Sequence, residues 1–171
     1  MPDDKSSPGG IITSYAFKYA IQFFQFAEPK YPEMKKQPID ARLAAYQAAI
    51  LVWVLILEER RTPGVSKELH ANVSRAFPPS ARRRCLTAVQ DLAAFLLKMD
   101  RGSIGPDEIP AVVKLAGNAD SYISDAMGVW LGGTVMDKWT LGEADKPAAA
   151  AMARSSRTSA IMIGRMLAKA K

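Results

Sequence analysis

The chain of 171 residues is 49% hydrophobic and 23% charged, which is typical of one soluble globular domain with a sizeable core. Its single cysteine excludes an internal disulfide, and its first ten residues lack the basic and apolar stretches of a secretory signal, so we expect a cytoplasmic protein. The net charge of +6 is uneven, with 3 Lys or Arg against 8 Asp or Glu in residues 100–145 and 6 against none in residues 146–171, so we do not expect a nucleic-acid partner.

Residues 1–10 are predicted to form a disordered leader, and residues 11–171 a single helical domain. Ile11–Glu28 holds six of the 14 aromatic residues, while Lys18, Gln22 and Gln25 share one helical face. This pattern predicts a mostly buried helix, although its aromatic richness would also suit a strand. Three prolines among residues 29–38 predict a loop, because proline removes a backbone donor and fixes φ.

Ile39–Arg61 is predicted to be the central helix. Leu43–Leu57 within it contains 15 residues without a charge. A membrane span needs roughly 18–20 mostly apolar residues, so the stretch is short for that purpose. A segment that is apolar on all sides is typical of the buried helix of a bundle. Membrane insertion is the alternative.

The rest of the chain predicts further helices from its apolar periodicity and capping residues. Gly102, Pro106 and the loop over residues 132–145 separate them. We predict an all-α, single-domain bundle of about six or seven helices around the central apolar helix. The predicted later helices are Ser66–Phe77 with Ser66 as N-cap, Ala81–Met99 after Ser80 as N-cap, a short helix opening near Pro106 with Ile109, Val112, Val113 and Ala116 inward, Ala119–Leu131, and a last helix from Asp145 to about Ala168.

Residues 97–108 match the second half of a calcium-binding EF-hand loop. With Gly102 at position 6 of such a loop, Glu108 stands at position 12. Positions 1, 3 and 5 are then Leu97, Met99 and Arg101, which offer no oxygen ligand. We therefore expect no calcium binding and interpret the stretch as a corner between helices. Similar corners 37–39 residues away suggest a degenerate helix–loop–helix repeat, or only the usual turns of a bundle.

The sequence offers little catalytic chemistry. His70 is the only histidine, so neither a zinc site with several histidine ligands nor a second catalytic histidine is available. Cys85 follows three arginines, which would stabilise a thiolate, but it also lies on an apolar helical stripe that predicts a buried, inert thiol. We expect no catalytic residue, metal or cofactor, and we lean towards a protein that is not an enzyme.

The last helix has a basic face opposite an apolar face. The apolar face contains Met152, Ile163, Met166 and Leu167. Such a helix can dock on its own domain, enter a groove of a partner or lie on an anionic membrane. We expect docking on the acidic stretch 100–145, since exposure would leave a large apolar patch in water. The candidate binding surface is the basic face, Arg154, Arg157, Arg165 and Lys169.

The favoured hypothesis is a non-enzymatic, regulatory or adaptor-like module that binds a protein partner. A first alternative is an enzyme or small-ligand receptor with a pocket between helices, lined by Tyr46, Trp53 and Trp130. A second is a peripheral membrane protein that uses the basic C-terminal helix. The sequence leaves the oligomeric state, the ligand and the biological process open.

Overall fold

Six α-helices make up most of the residues that the computed structural model describes, 7–104 and 114–170, and these ranges contain no strand. Short 3₁₀ turns occupy Pro32–Lys35 and Arg101–Ser103. The prediction of an all-α bundle is confirmed. The helices are α1 (Pro8–Ala27), α2 (Ile39–Arg61), α3 (Val65–Ala76), α4 (Pro79–Leu96), α5 (Asp120–Met136) and α6 (Lys146–Lys169).

Helix α2 lies at the centre and packs against all five other described helices. Every residue from Ala44 to Ile56 is buried, including Trp53, which has no exposed surface. Helix α2 is the one described helix whose length and composition would allow it to cross a membrane, but 78% of its most apolar window is buried inside the protein. The predicted core role of Leu43–Leu57 is confirmed, because the other helices supply its apolar surroundings.

Helix α6 packs against α1, α2 and α5, as expected for a docked C-terminal helix. Met152 and Ile163 on its inner face are fully buried. Small buried residues, among them Ala160 and Gly164, allow α6 to approach α2 closely. A Cβ atom on Gly164 would lie only 3.0 Å from a carboxylate oxygen of Glu58 on α2.

The first helix begins earlier than predicted, at Pro8 instead of Ile11. Ser7 is its N-cap, and the Ser7 hydroxyl accepts a hydrogen bond of 3.1 Å from the backbone N–H of Gly10. Proline at the first helical position favours this start, because its fixed φ suits the helix and its missing N–H costs nothing there. Residues 8–10 of the predicted leader are therefore helical, and residues 1–6 lie outside the described part.

Two predicted N-caps are wrong. Helix α3 begins at Val65 after Gly64, whose φ of +92° suits glycine, and Ser66 lies inside the helix. The Ser66 hydroxyl instead donates a 2.7 Å hydrogen bond to Glu59. Helix α4 begins at Pro79 with Pro78 as N-cap and no side-chain cap, so Ser80 also lies inside the helix. It ends at Leu96, before the predicted Met99.

Helix α5 continues to Met136, five residues beyond the predicted end at Leu131. Gly132 and Gly133, which were predicted to lie in a loop, are helical. They are buried because side chains from the turn after α5 pack directly on them. A Cβ on Gly132 would meet the Leu141 side chain at 2.7 Å, and one on Gly133 would overlap the ring of Trp139. The predicted short helix with Ile109, Val112 and Val113 lies mostly outside the described residues.

Candidate functional site

The predicted basic surface on α6 is not a single free surface. Arg154, Arg165 and Lys169 are exposed as expected. Arg157, however, turns to α5 and donates hydrogen bonds of 3.0 and 2.7 Å to a carboxylate oxygen of Asp120. Its guanidinium carbon also lies 5.7 Å from the centre of the Trp53 ring. Arg157 therefore belongs to the packing of α6 onto the bundle.

Asp120 joins three helices in a cluster that we call the Asp120 clamp, made of Arg60, Asp120 and Arg157. Arg60 on α2 forms an ion pair with Asp120 and also donates to the backbone carbonyls of Ala116 at 2.9 Å and Asn118 at 2.6 Å. The hydrogen bond from Arg60, followed by that from Arg157, holds the pKa of Asp120 below its ordinary value. The clamp explains why the acidic stretch and the basic helix meet.

The residues with catalytic potential are in structural settings. Cys85 is 2% exposed, and burial raises the pKa of its thiol to about 11, so the thiol is protonated at neutral pH. This agrees with the expected buried cysteine. His70 is half-buried on α3, where its backbone carbonyl accepts a 2.9 Å hydrogen bond from the Ser74 hydroxyl. The Ser74 hydroxyl also lies 3.4 Å from Nε2 of His70, whereas the Cys85 thiol has the side chain of Gln47 as its neighbour, which cannot act as a base at neutral pH.

A cleft of about 900 Å³ lies between α1 and α4, and we call it the α1–α4 cleft. Helix α2 forms its floor, and the last turn of α3 closes one side. Leu43, Ala44 and Gln47 lie on the floor with Cys85 of α4 beside them. A cavity of this size is at the upper end of the range usual for ligand sites, roughly 300–1,000 Å³.

Both walls of the cleft pack on α2, but their other neighbours differ. Helix α1 also packs against α3 and α6, whereas α4 also packs against α5. Gly9 draws α1 against α3, since a Cβ there would lie 2.6 Å from the carbonyl carbon of Asn72. Arg82 fixes the corner between α3 and α4 by donating to the carbonyls of Phe77 at 3.1 Å and Arg75 at 3.3 Å.

The rim of the cleft is cationic. Arg75 donates a 2.5 Å hydrogen bond to the Asn72 side chain and has no carboxylate partner within the described ranges. Arg84 pairs with Asp40 at 3.2 Å, but both side chains are more than half exposed, so water screens this pair. Helices α2 and α4 both begin beside the cleft and neither has a side-chain cap, and the positive end of a helix dipole favours nearby anions.

Comparison with family models, curated proteins and solved structures gives no match.

The aromatic residues predicted to line a pocket do not line this cleft. Tyr46 and Trp53 are fully buried in the core. The Tyr46 hydroxyl donates to Ser155 at 2.8 Å, Phe23 stacks on its ring, and burial raises the pKa of Tyr46. The cleft instead has Phe77 on one wall and Phe17 on the rim, where 49% of the Phe17 side chain is exposed. Sequence reasoning missed Phe17, because its exposure depends on how α1 packs and nothing distinguishes it from the other aromatic residues of Ile11–Glu28.

Trp130, the third predicted aromatic, borders a shallower groove of about 670 Å³ between α2, α4 and α5. The exposed side chains of Met99 and Trp139 lie along it. Trp139 covers the backbone of Gly133 and lies 6.1 Å from Phe95, measured between ring centres. These contacts account for Trp139 as a cover over α5.

The prediction about calcium stays a prediction, since Glu108 lies outside the described residues. Lys98 begins the corner in a left-handed conformation with a φ of +54°, and Ile104 is buried. Within residues 7–104 and 114–170, no three His, Cys, Asp or Glu side chains are grouped closely enough to hold a metal ion.

Proposed function

We propose that the protein is a non-enzymatic binding module that holds an acidic, partly apolar segment of a partner protein in the α1–α4 cleft. The observation that carries this proposal is the combination of an apolar floor at Leu43 and Ala44 with the cationic rim of Arg75 and Arg84. Charge complementarity of this kind selects partners and accelerates their association. The proposal keeps the cytoplasm as the expected location.

A segment of a protein fits the cleft better than a compact small molecule. The cleft follows α1 from Ser7 to Phe17, eleven residues that span about 15 Å along the helix. It is open to solvent along one side, whereas small-molecule sites usually enclose about 70–90% of their ligand. Phe17 stands on this open side, and phenylalanine is among the aromatic residues that are enriched at protein interfaces.

The absence of an activated group in the cleft supports binding over catalysis. Burial keeps the Cys85 thiol in its lining protonated by raising its pKa to about 11. Gln47 beside it cannot transfer a proton at neutral pH. Asp40 lies at the rim in its exposed pair with Arg84.

Selection from a random 12-residue peptide display library tests the proposal. The wild-type protein serves as bait, and Ser14→Trp serves for counter-selection, because Ser14 is an exposed residue of α1 that lines the cleft. Gln22→Trp is the matched control on an exposed position of the same helix outside the cleft lining. We expect the enriched peptides to carry Asp or Glu next to apolar residues and to bind Gln22→Trp normally.

Charge reversal then locates the binding surface. Arg75→Glu should weaken binding of a selected peptide by about tenfold or more in calorimetric titration, equivalent to about 1.4 kcal/mol. Arg154→Glu on the exposed face of α6 should leave binding unchanged. If only Arg154→Glu loses binding, the binding site lies on α6. If every selected peptide also binds Ser14→Trp, so that none remains after counter-selection, the cleft is not a peptide site.

A small-ligand receptor is the second candidate, favoured by the volume of the cleft. Its ligand would combine an apolar body with an anionic group, for which decanoate is a simple probe. Saturable stabilisation of the wild-type protein by decanoate, absent in Ser14→Trp, would support this function. The membrane alternative has less to support it, because the apolar face of α6 with Met152 and Ile163 is buried in the bundle.

A further inference from the structure

The floor of the α1–α4 cleft contains one polar side chain that the fold itself does not use. Gln47 is 5% exposed and lies on the third turn of α2 among alanine and leucine residues. Its amide oxygen receives only a weak contact from the Cys85 thiol, at 3.7 Å. Its amide nitrogen carries two donors, has no hydrogen-bond partner within residues 7–104 and 114–170, and is not fully enclosed, so it is accessible from the cleft.

An amide that faces an open cleft keeps its hydrogen bonds to water, so a ligand that displaces this water must offer an acceptor in exchange. Gln47 lines a cleft that is open to a ligand, whereas the fully buried and unpaired N–H of Trp53 does not line this cleft. A ligand acceptor reaching the floor would satisfy Gln47.

We infer that Gln47 donates a hydrogen bond to a main-chain carbonyl of the bound segment, and that this segment therefore binds in an extended conformation. This inference rests on the proposed function. The acceptor should be neutral, because a carboxylate on an apolar floor would lose its hydration, whereas Arg75 and Arg84 offer carboxylates a place at the solvated rim. Main-chain carbonyls of an extended segment are free to accept, but those inside an α-helix are already bonded.

The dimensions of the cleft fix the length of the motif. About 15 Å of cleft along α1 corresponds to four or five extended residues at about 3.3 Å each. Successive side chains of an extended segment point to opposite sides, so every second one can enter the cleft. The expected ligand is a short segment with alternating apolar residues, acidic residues near its ends, and one carbonyl above Gln47.

Gln47→Met tests the hydrogen bond. Methionine has a similar length and flexibility but no amide, and the unliganded protein loses only the weak thiol contact, so its melting temperature should not fall. The affinity for a peptide selected on the wild-type protein should fall about 3- to 10-fold, as expected for one neutral hydrogen bond. Gln47→Glu is a second variant that keeps the shape but replaces the donor by a charge, and it should weaken binding at least as much.

Two changes in the peptide test the conformation. Replacing single amide links of the peptide by esters weakens one carbonyl acceptor at a time. At one position the ester should weaken binding to the wild-type protein but not to Gln47→Met, and this position identifies the carbonyl that Gln47 bonds. Proline at interior positions should be tolerated within a few-fold at one position or more. In a bound helix an interior proline would weaken binding by about 100-fold, which corresponds to about 3 kcal/mol.

The outcomes separate the inference from the proposed function. Two results would overturn the inference and leave the peptide site intact. In the first, peptides lose binding in Ser14→Trp but bind Gln47→Met as tightly as the wild type. In the second, the effect of Gln47→Met depends on a side chain of the peptide and not on an ester position. Loss of binding with every interior proline would do the same. Failure of all peptides on the wild-type protein would overturn both.

Discussion

The close crossing of α1 and α3 makes Gly9→Ala the most informative stability variant. The new Cβ would lie 2.6 Å from the carbonyl carbon of Asn72, whereas ordinary contacts begin near 3.4 Å, so the two helices must separate by at least about 0.8 Å. The obstacle is backbone, which cannot rotate away as a side chain would. Overpacking of this kind typically costs about 1–3 kcal/mol.

Helix propensity opposes this cost. Replacement of glycine by alanine inside a helix stabilises by up to about 1 kcal/mol, and less near the helix start where Gly9 stands. The net expectation is a loss of about 1–2 kcal/mol, or a fall in melting temperature of roughly 2–8 °C for a chain of this size. Because α3 carries Arg75, the same variant should also weaken binding in the cleft.

Guanidinium denaturation and calorimetry measure the effect, with Gly128→Ala as the matched control. Gly128 is also helical and buried, but a Cβ there would meet its nearest atom, a backbone oxygen of Ala149, at an ordinary 3.6 Å. This control should be neutral or more stable by up to about 1 kcal/mol. A Gly9→Ala variant as stable as the control would refute the argument that the crossing of α1 and α3 requires glycine.

Three further predictions follow from the core, the clamp and the corner. Ile56→Ala should cost about 2–5 kcal/mol in denaturant unfolding, because Ile56 is fully buried on α2, and a loss under about 1 kcal/mol would contradict its place in the core. Asp120→Asn should be less stable than the wild type at neutral pH. Because folding lowers the pKa of Asp120, this difference in stability should persist above the unfolded pKa near 4 and vanish as the pH falls through the folded pKa. A difference in stability that does not change with pH would argue against the clamp. Calcium should not raise the melting temperature, because Leu97 and Met99 offer no oxygen ligand, and a saturable rise would overturn this expectation.

The sequence was sufficient where a pattern was long and one-sided. Fifteen residues without a charge could only be accommodated in the centre of a bundle or in a membrane, and the length of Leu43–Leu57 favoured the bundle. The docking of α6 followed from similar reasoning, because Met152 and Ile163 required cover. Such predictions depend on the summed burial of many side chains, and no single local preference can reverse them.

Local signals were weaker because tertiary contacts override them. Ser66 and Ser80 have side chains that often act as N-caps, yet the N-cap positions of α3 and α4 are occupied by Gly64 and Pro78. The Ser66 hydroxyl instead donates a hydrogen bond to Glu59. Hydrogen bonds from this hydroxyl and from the backbone N–H groups of Gly64 and Ser66 lower the pKa of Glu59. The Glu59 carboxylate therefore caps the start of α3, as Ser66 was expected to do.

The candidate site could not be predicted, because it arises between helices. Helical periodicity grouped Arg157 with the other cations of α6 but could not show that Asp120 lies opposite. Likewise, no property of α1 or α4 alone predicts that they diverge over α2. Gln47 was hidden in an apolar run, where one amide does not disturb the pattern of burial.

The position of α2 also determines how the protein can be synthesised. Helix α2 is complete at Arg61, but α6, which covers it over its length, is complete only at Lys169. Translation of the 108 residues between them takes roughly 5–20 s at 5–20 residues per second. During that time an apolar helix of the nascent chain lacks one of its main packing partners, and exposed apolar surface of this kind favours aggregation until α6 leaves the ribosome.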